Sequence, residues 1–435
     1  IWRGVDGSEI LASLNSSDYG WNPRELITEN KQLIDKVNDS KVHAAMRYYG
    51  TKSYQQNGDK GGSPIPSAVR LMDESIKLGS PHYKLRFATV ADIFNDHRDL
   101  LGKDVLPVYD GELLMDVHGS GVYTANSDNK KLNRRNEQLG YAAEAGAVMA
   151  DWLGAVPYPH YVLTDAYRRF IWHQFHDDLT GTSIKEVYPF SWNDLMLAQN
   201  QFAGTMEASV GGFSRALDTR VKGTPVVVFN PVSAQNNDLV TVEIDMPAGY
   251  RDVQVYGPDG KRVKSQVLSR EGGKATVVFA ADSPSVSLSV YDFRLSTSGN
   301  SAKGSLKASG NTIENKVYKV TLGSTGDIVS IVDKRNGKEL VAEGKRFGLQ
   351  VFDENTSDSW PSWEILKSVI DKEPLAVDQD VKVTVECEGP LVAILRVDRR
   401  YGESAFTQRI TLYDGAIDDR IDIRNNVDWK SRRTL

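Results

Sequence analysis

The spacing of apolar positions changes twice along the 435-residue chain, and those changes divide it. From Ile1 to about His118, short apolar stretches at 9–14, 42–49 and 84–88 alternate with runs of helical period at 24–37, 66–78 and 90–100. Strand followed by helix, repeated, predicts a parallel α/β layer. Three such units are few for a free-standing α/β domain, so an upstream part is expected. From about Asn126 to Arg220 the period lengthens. Leu132, Leu139, Ala143, Ala147 and Ala150 share one face, Asp165 is placed to cap a second helix carrying Ala166, Phe170 and His173, and a third helix starts at Ser191 with Leu195, Ala198, Phe202, Ser209 and Phe213. Three antiparallel helices predict a bundle.

Beyond Thr224 the pattern alternates, as in 226–229, 240–244, 276–279, 286–290, 382–385 and 421–423, with glycine turns at 257–260 and 335–337 between the runs. This predicts antiparallel β-sandwich, and the Ser/Gly/Asn stretch 296–301 reads as a linker between two lobes. The expected fold is therefore multidomain α/β, α and β. It comprises the C-terminal part of an incomplete parallel α/β barrel over 1–118, a three-helix bundle over 119–221, a first β lobe over 222–298 and a β-sandwich domain over 299–435 that stops short.

Composition narrows the partners. A net charge of −6 leaves no basic surplus for a nucleic acid backbone, so nucleic acid is excluded as a main partner. Mean hydropathy of −0.40 and the lack of an apolar run near 18 residues argue against a membrane-spanning helix. The single cysteine, Cys387, cannot form an internal disulfide or a thiolate metal cage. The chain opens Ile1-Trp2-Arg3-Gly4 with no basic and apolar leader, so any targeting signal is expected to have been removed or to lie elsewhere.

All seven histidines lie at or before position 176, which confines histidine chemistry to the front of the chain. The densest constellation runs from Phe170 through His173, His176, Asp177 and Asp178 to Gly181 and Ile184. His173 and His176 share a helical face, and the aspartates follow at the helix end. Imidazole plus carboxylate suits Zn2+ or a similar divalent ion, although one of two nearby histidines on an aromatic helix is usually just packed.

The segment His176-Asp177-x-Leu179-x-Gly181-Thr182-Ser183-Ile184 resembles a stretch of the class II α-mannosidases, glycoside hydrolase family 38. The resemblance extends in order along the chain: Gly111-Glu112-Leu113; 118–124 from His118 to Thr124; Lys131-Leu132-Asn133-Arg134 with Glu137; Val228-Phe229-Asn230-Pro231; Ile313-Glu314-Asn315; 326–334; and Val427-Asp428-Trp429. It implies a retaining hydrolase of terminal α-mannosides using one zinc ion and two carboxyls about 5 Å apart, with mannose-containing oligosaccharide as substrate. His176 matches a zinc-binding histidine, and Asp177 is expected near sugar hydroxyls. The family's opening H-x-D-x-A-W motif and nucleophile strand have no match here, so both are expected upstream, and the segment alone is expected to be inactive and not to retain zinc.

Gly58-Asp59-Lys60-Gly61-Gly62-Ser63-Pro64 resembles a glycine-rich loop of the family and makes Asp59 the candidate acid/base, with an ordinary turn aspartate as the alternative. Trp2, Asp6, Tyr19 and His118 are candidate sugar contacts, with a core role equally open for the aromatic ones. Family members occur in several compartments, and the bacterial envelope is the expectation here. A non-catalytic carbohydrate-binding module is the alternative function, favoured by the long β region and scattered tryptophans.

Overall fold

The computed structural model describes residues 1–14, 21–48, 64–112, 119–299, 304–353, 357, 359–415 and 417–435. The chain forms two compact units, Ile1–Leu114 and Met115–Leu435.

In the first unit, α1 (Lys31–Asp39), α2 (Pro66–Leu78) and α3 (Val90–Asp96) fall within or close to the runs of helical spacing. Each begins for a local reason. Asn30 Oδ1 accepts the Leu33 N–H ahead of α1, Pro66 occupies the first turn of α2, and Thr89 with Asp92 forms a capping box on α3. The strands depart from expectation. Among the described residues the parallel layer is reduced to one pair, Trp2–Arg3 beside Tyr109–Asp110, with Glu9–Ile10 antiparallel on the other side.

The described residues of 42–49 and 84–88 form no strand. Their alternation has another cause. Tyr83 and Leu85 turn toward the core made by Ile27, Leu33 and Met72 while Lys84 and Arg86 stay exposed, so one-sided packing gives a period of two without a ladder. His43, at φ +49°, interrupts the other stretch. A parallel strand also needs distant partners on each side, which alternation along one segment does not supply.

In the second unit α4 (Ser127–Trp152), α5 (His160–Trp172) and α6 (Tyr188–Ser214) pack around one core. Small residues let α4 and α6 approach. Ala143, Gly146, Ala147 and Ala150 are buried on α4 against Leu195, Ala198, Phe202 and Ser209 of α6, and a Cβ at Gly146 would already touch Ser209 at 3.4 Å. Asp165 lies inside α5 rather than at its start, and α6 begins at Tyr188 with Pro189 in its first turn, ahead of Ser191.

Two antiparallel sheets follow. One has the order Thr224–Asn230, Ser287–Ser296, Asp252–Tyr256, Arg262–Val263; the other Asn236–Asp245, Lys274–Ser283, Ser265–Glu271. Val253, Val255, Tyr291 and Phe293 of the first meet Ile244, Val277 and Phe279 of the second in one core. A second pair of sheets, strands within 307–339 and 379–428, is held by Ile313, Val320, Ile328, Leu395, Val397, Ile410 and Leu412.

The two β regions are joined through Gln266. Its Oε1 accepts N–H bonds from Leu391 and Val392 (3.0 Å each), and its Nε2 donates to Val392 O (3.1 Å) and Cys387 Sγ (2.9 Å). Lys264 Nζ reaches the buried Asp414 Oδ2 at 2.8 Å, and Val278, Leu391 and Val392 close an apolar cluster alongside.

Candidate functional site

Helix α5 ends at Trp172, and the turn that follows sorts its histidines and aspartates between two faces. His173, at the C-cap, is buried, as its place three residues beyond Phe170 and seven beyond Ala166 requires. Its Nδ1 meets Asp178 Oδ2 at 2.5 Å and its Nε2 faces Asp194 Oδ2 at 3.4 Å. Buried Asp178 also accepts Ser191 Oγ–H (2.8 Å) on Oδ2 and Asn129 Nδ2–H (2.6 Å) on Oδ1. Arg169 then bridges Asp194 (3.1 Å) to Asp165 (3.0 Å), which accepts from Gln201 at 2.8 Å. The amide of Gln201 and the Arg169 guanidinium hold the Asp165 carboxyl below the usual carboxylate range.

His176 and Asp177 occupy the other face. The His176 side chain is 59% exposed, its Nε2 lies 3.3 Å from Asp177 Oδ2, and its ring rests on Phe175. Asp177 accepts Thr182 Oγ1–H on Oδ1 at 3.0 Å and the Ser183 N–H on its backbone oxygen at 2.8 Å, so its carboxylate is fixed while one oxygen turns to the imidazole. The turn is gripped from behind. Lys130 Nζ donates to the carbonyls of Leu179 (3.0 Å) and Thr180 (3.3 Å) and to Ala125 O, and Asn126 Nδ2 donates to Gly181 O at 3.2 Å. Burial pushes the Lys130 ammonium below its ordinary value. Gly181 is required: its φ is +83° and a Cβ would stand 2.6 Å from Ala125 O.

The structure therefore brings His176 and Asp177 together as a solvent-facing imidazole–carboxylate pair. The donor chemistry suits zinc, but a tetrahedral ion needs about four ligands. Among the described residues no group of three His, Cys, Asp or Glu side chains is placed to hold a metal.

Trp2 and Asp6 lie in the first unit. Trp2 Nε1 donates to Gly111 O at 2.8 Å and its ring is part exposed. Asp6 sits in the turn between Trp2–Arg3 and Glu9–Ile10. Its Oδ1 accepts the Ser8 Oγ–H (2.6 Å) and N–H (3.0 Å), bonds that hold its carboxyl low. Tyr19, Asp59 and His118 lie outside the described residues. Sequence reasoning named Asp178 without a role and passed over Asn129 and Lys130; all three hold the turn. The signal was present in α4, where Asn129, Asn133 and Asn136 occupy core-facing positions ahead of Gly140 and Ala143.

A helical bundle followed by paired antiparallel sheets has counterparts among known proteins. The α-mannosidase middle domain matches residues 118–211, and the C-terminal domain of glycosyl hydrolases family 38 matches 313–435. Both matched stretches are domains of this family, the class II α-mannosidases. The chain is similar to α-mannosidase G of Dictyostelium discoideum, 26% identical over the whole chain and 41% of that protein, and to an α-mannosidase of Saccharomyces cerevisiae, 28% identical over 43% of the chain and 18% of that protein. The fold matches an α-mannosidase structure from Enterococcus faecalis at a TM-score of 0.67 and 18% identity, covering all of this chain and 56% of that one. The chain thus spans less than half the length of these two curated relatives.

Proposed function

We propose that this chain is a segment of a retaining, zinc-dependent α-mannosidase acting on terminal α-mannosides of glycans. The observation that carries the reading is the outward His176–Asp177 pair on a turn anchored by Lys130, Asn129 and Gly181, in a chain with two domains of this family. In this reading His176 supplies one metal ligand and Asp177 holds sugar hydroxyls near it. Zinc, when bound, supplies Lewis acidity and a template for the sugar. The rigid turn fixes the imidazole before the metal or sugar arrives, so little ordering is left for binding.

Asp59 is the proposed acid/base, and Trp2, Tyr19, Asp6 and His118 are proposed sugar contacts. The remaining ligands and the nucleophile are assigned to other polypeptide of the complete protein, which makes the segment alone inactive.

Metal content and hydrolysis of a 4-nitrophenyl α-mannoside by the complete protein test this. The expectation is one zinc per chain, with both zinc and turnover lost in His176→Ala and no tight zinc site in residues 1–435 alone. Full turnover in His176→Ala, or stoichiometric tight zinc in the segment, overturns it.

A further inference from the structure

The outer face of α5 runs past the helix end into a groove beside the His176–Asp177 turn. Leu163, Ala166 and Phe170 face the core, so the residues between them are turned away from it. Thr164, Tyr167, Arg168, Trp172, Gln174 and Phe175 line the groove, whose volume is about 790 Å3. Trp172 is 76% exposed and Phe175 is 55% exposed.

Several of its walls are fixed. Tyr167 Oη donates to Glu144 Oε2 at 2.9 Å, and its ring meets Phe202 edge-on with centroids 4.9 Å apart. Gln174 Nε2 donates to Asn133 Oδ1 at 3.3 Å. The Phe175 N–H donates to Trp172 O at 3.2 Å, while Phe175 O accepts the N–H groups of Asp178 (2.9 Å) and Leu179 (3.1 Å). The groove is also continuous with the candidate site. The Phe175 ring lies against the His176 imidazole, centroids 4.2 Å apart at 47°, so one ring borders both.

An isolated exposed aromatic means little, but aromatics gathered in a recess beside a candidate site are what a ligand needs. The polar groups among them set its chemistry. Thr164 brings a hydroxyl, Gln174 an amide and Arg168 a guanidinium, which is exposed while that of Arg169 is taken up by Asp165 and Asp194. A wholly apolar occupant would strip water from these groups and pair none of them. A pyranose lays C–H groups on an aromatic face and offers hydroxyls, each donor and acceptor, to the polar groups at its edge. A preset platform also loses little conformational freedom on binding.

We propose that the α5 groove is a subsite for the second sugar of an oligosaccharide whose terminal residue is held at the His176–Asp177 turn, with Trp172 and Phe175 as its platform. The identity of that sugar rests on the α-mannosidase reading, whereas the stacking site does not. The full 435-residue chain is titrated with α-linked mannotriose and with cellotriose, by calorimetry and saturation-transfer NMR.

Mannotriose is expected to bind, Trp172→Ala to weaken it by about tenfold or more with the melting temperature unchanged, and Trp172→Phe to stay within about threefold of wild type. Trp152→Ala, which removes an exposed indole of α4, is expected to leave binding unchanged. No mannotriose binding by the chain, equal binding by Trp172→Ala, or the same loss in Trp152→Ala overturns the subsite. Cellotriose bound as tightly as mannotriose, and lost in Trp172→Ala, upholds the subsite and overturns the mannoside reading instead.

Discussion

Two histidine–aspartate pairs lie within six residues of each other and differ in almost every physical respect. His173 and Asp178 are buried, at 2.5 Å, with Asn129, Ser191 and Asp194 around them. His176 and Asp177 are solvent-facing, 3.3 Å apart, with Thr182 donating to the carboxylate beside the imidazole. The same two residue types act as a mortise in one pair and as a presented donor set in the other. The difference is helical phase: His173 continues the Leu163, Ala166, Phe170 face into the core, and three further residues carry the backbone out of that face as the helix ends.

The largest effect should separate the pairs by stability. Asp178→Ala removes the buried carboxylate that His173, Ser191 and Asn129 all meet, leaving His173 Nδ1 without its partner, and is expected to cost about 3 kcal/mol, read from the urea unfolding midpoint of the chain. If Asp177→Ala costs as much, the inner and outer roles are not distinct. Gly181→Ala forces φ +83° on a residue with a Cβ and drives that atom into Ala125, at an expected cost of about 2 kcal/mol by the same measurement.

Asp165 sharpens the inner side through pH. Its carboxyl is held low by Gln201 and Arg169, so the stability it adds is present above about pH 4 and is lost as the pH falls through its lowered folded value. Asp165→Asn should therefore flatten the fall of melting temperature below about pH 4 while lowering it at neutral pH. The smallest effect belongs to His176→Ala, expected within about 0.5 kcal/mol of wild type because the side chain is largely in water. A larger loss would make His176 a structural residue.

What could be read in advance followed the range of the forces involved. The run 66–78 is helical as Pro66–Leu78 because proline at the first turn and the apolar repeat act within a few residues. Hairpins such as Lys274–Ser283 against Ser265–Glu271 are set by alternation plus the adjacent glycines 272 and 273. The stretches 42–49 and 84–88 carried the same alternation, but a strand is completed only by a distant partner, and Tyr83 and Leu85 found a helix-lined core instead.

At the site, the outer pair was visible as a motif. The inner one was not, because consecutive aspartates at 177 and 178 are chemically identical until the end of α5 decides which turns inward. The core-facing asparagines of α4 were its one readable trace.

Gln266 has a practical corollary for anyone dividing this chain. Its amide replaces, for Leu391 and Val392, the hydrogen bonds a neighbouring strand would have given, and Leu391 itself is fully enclosed. Cutting at the serine-rich stretch near 298 would leave those amides and an oily seam facing water on both pieces. The two β regions should therefore melt in one transition and be expressed together, however separable the sequence makes them look.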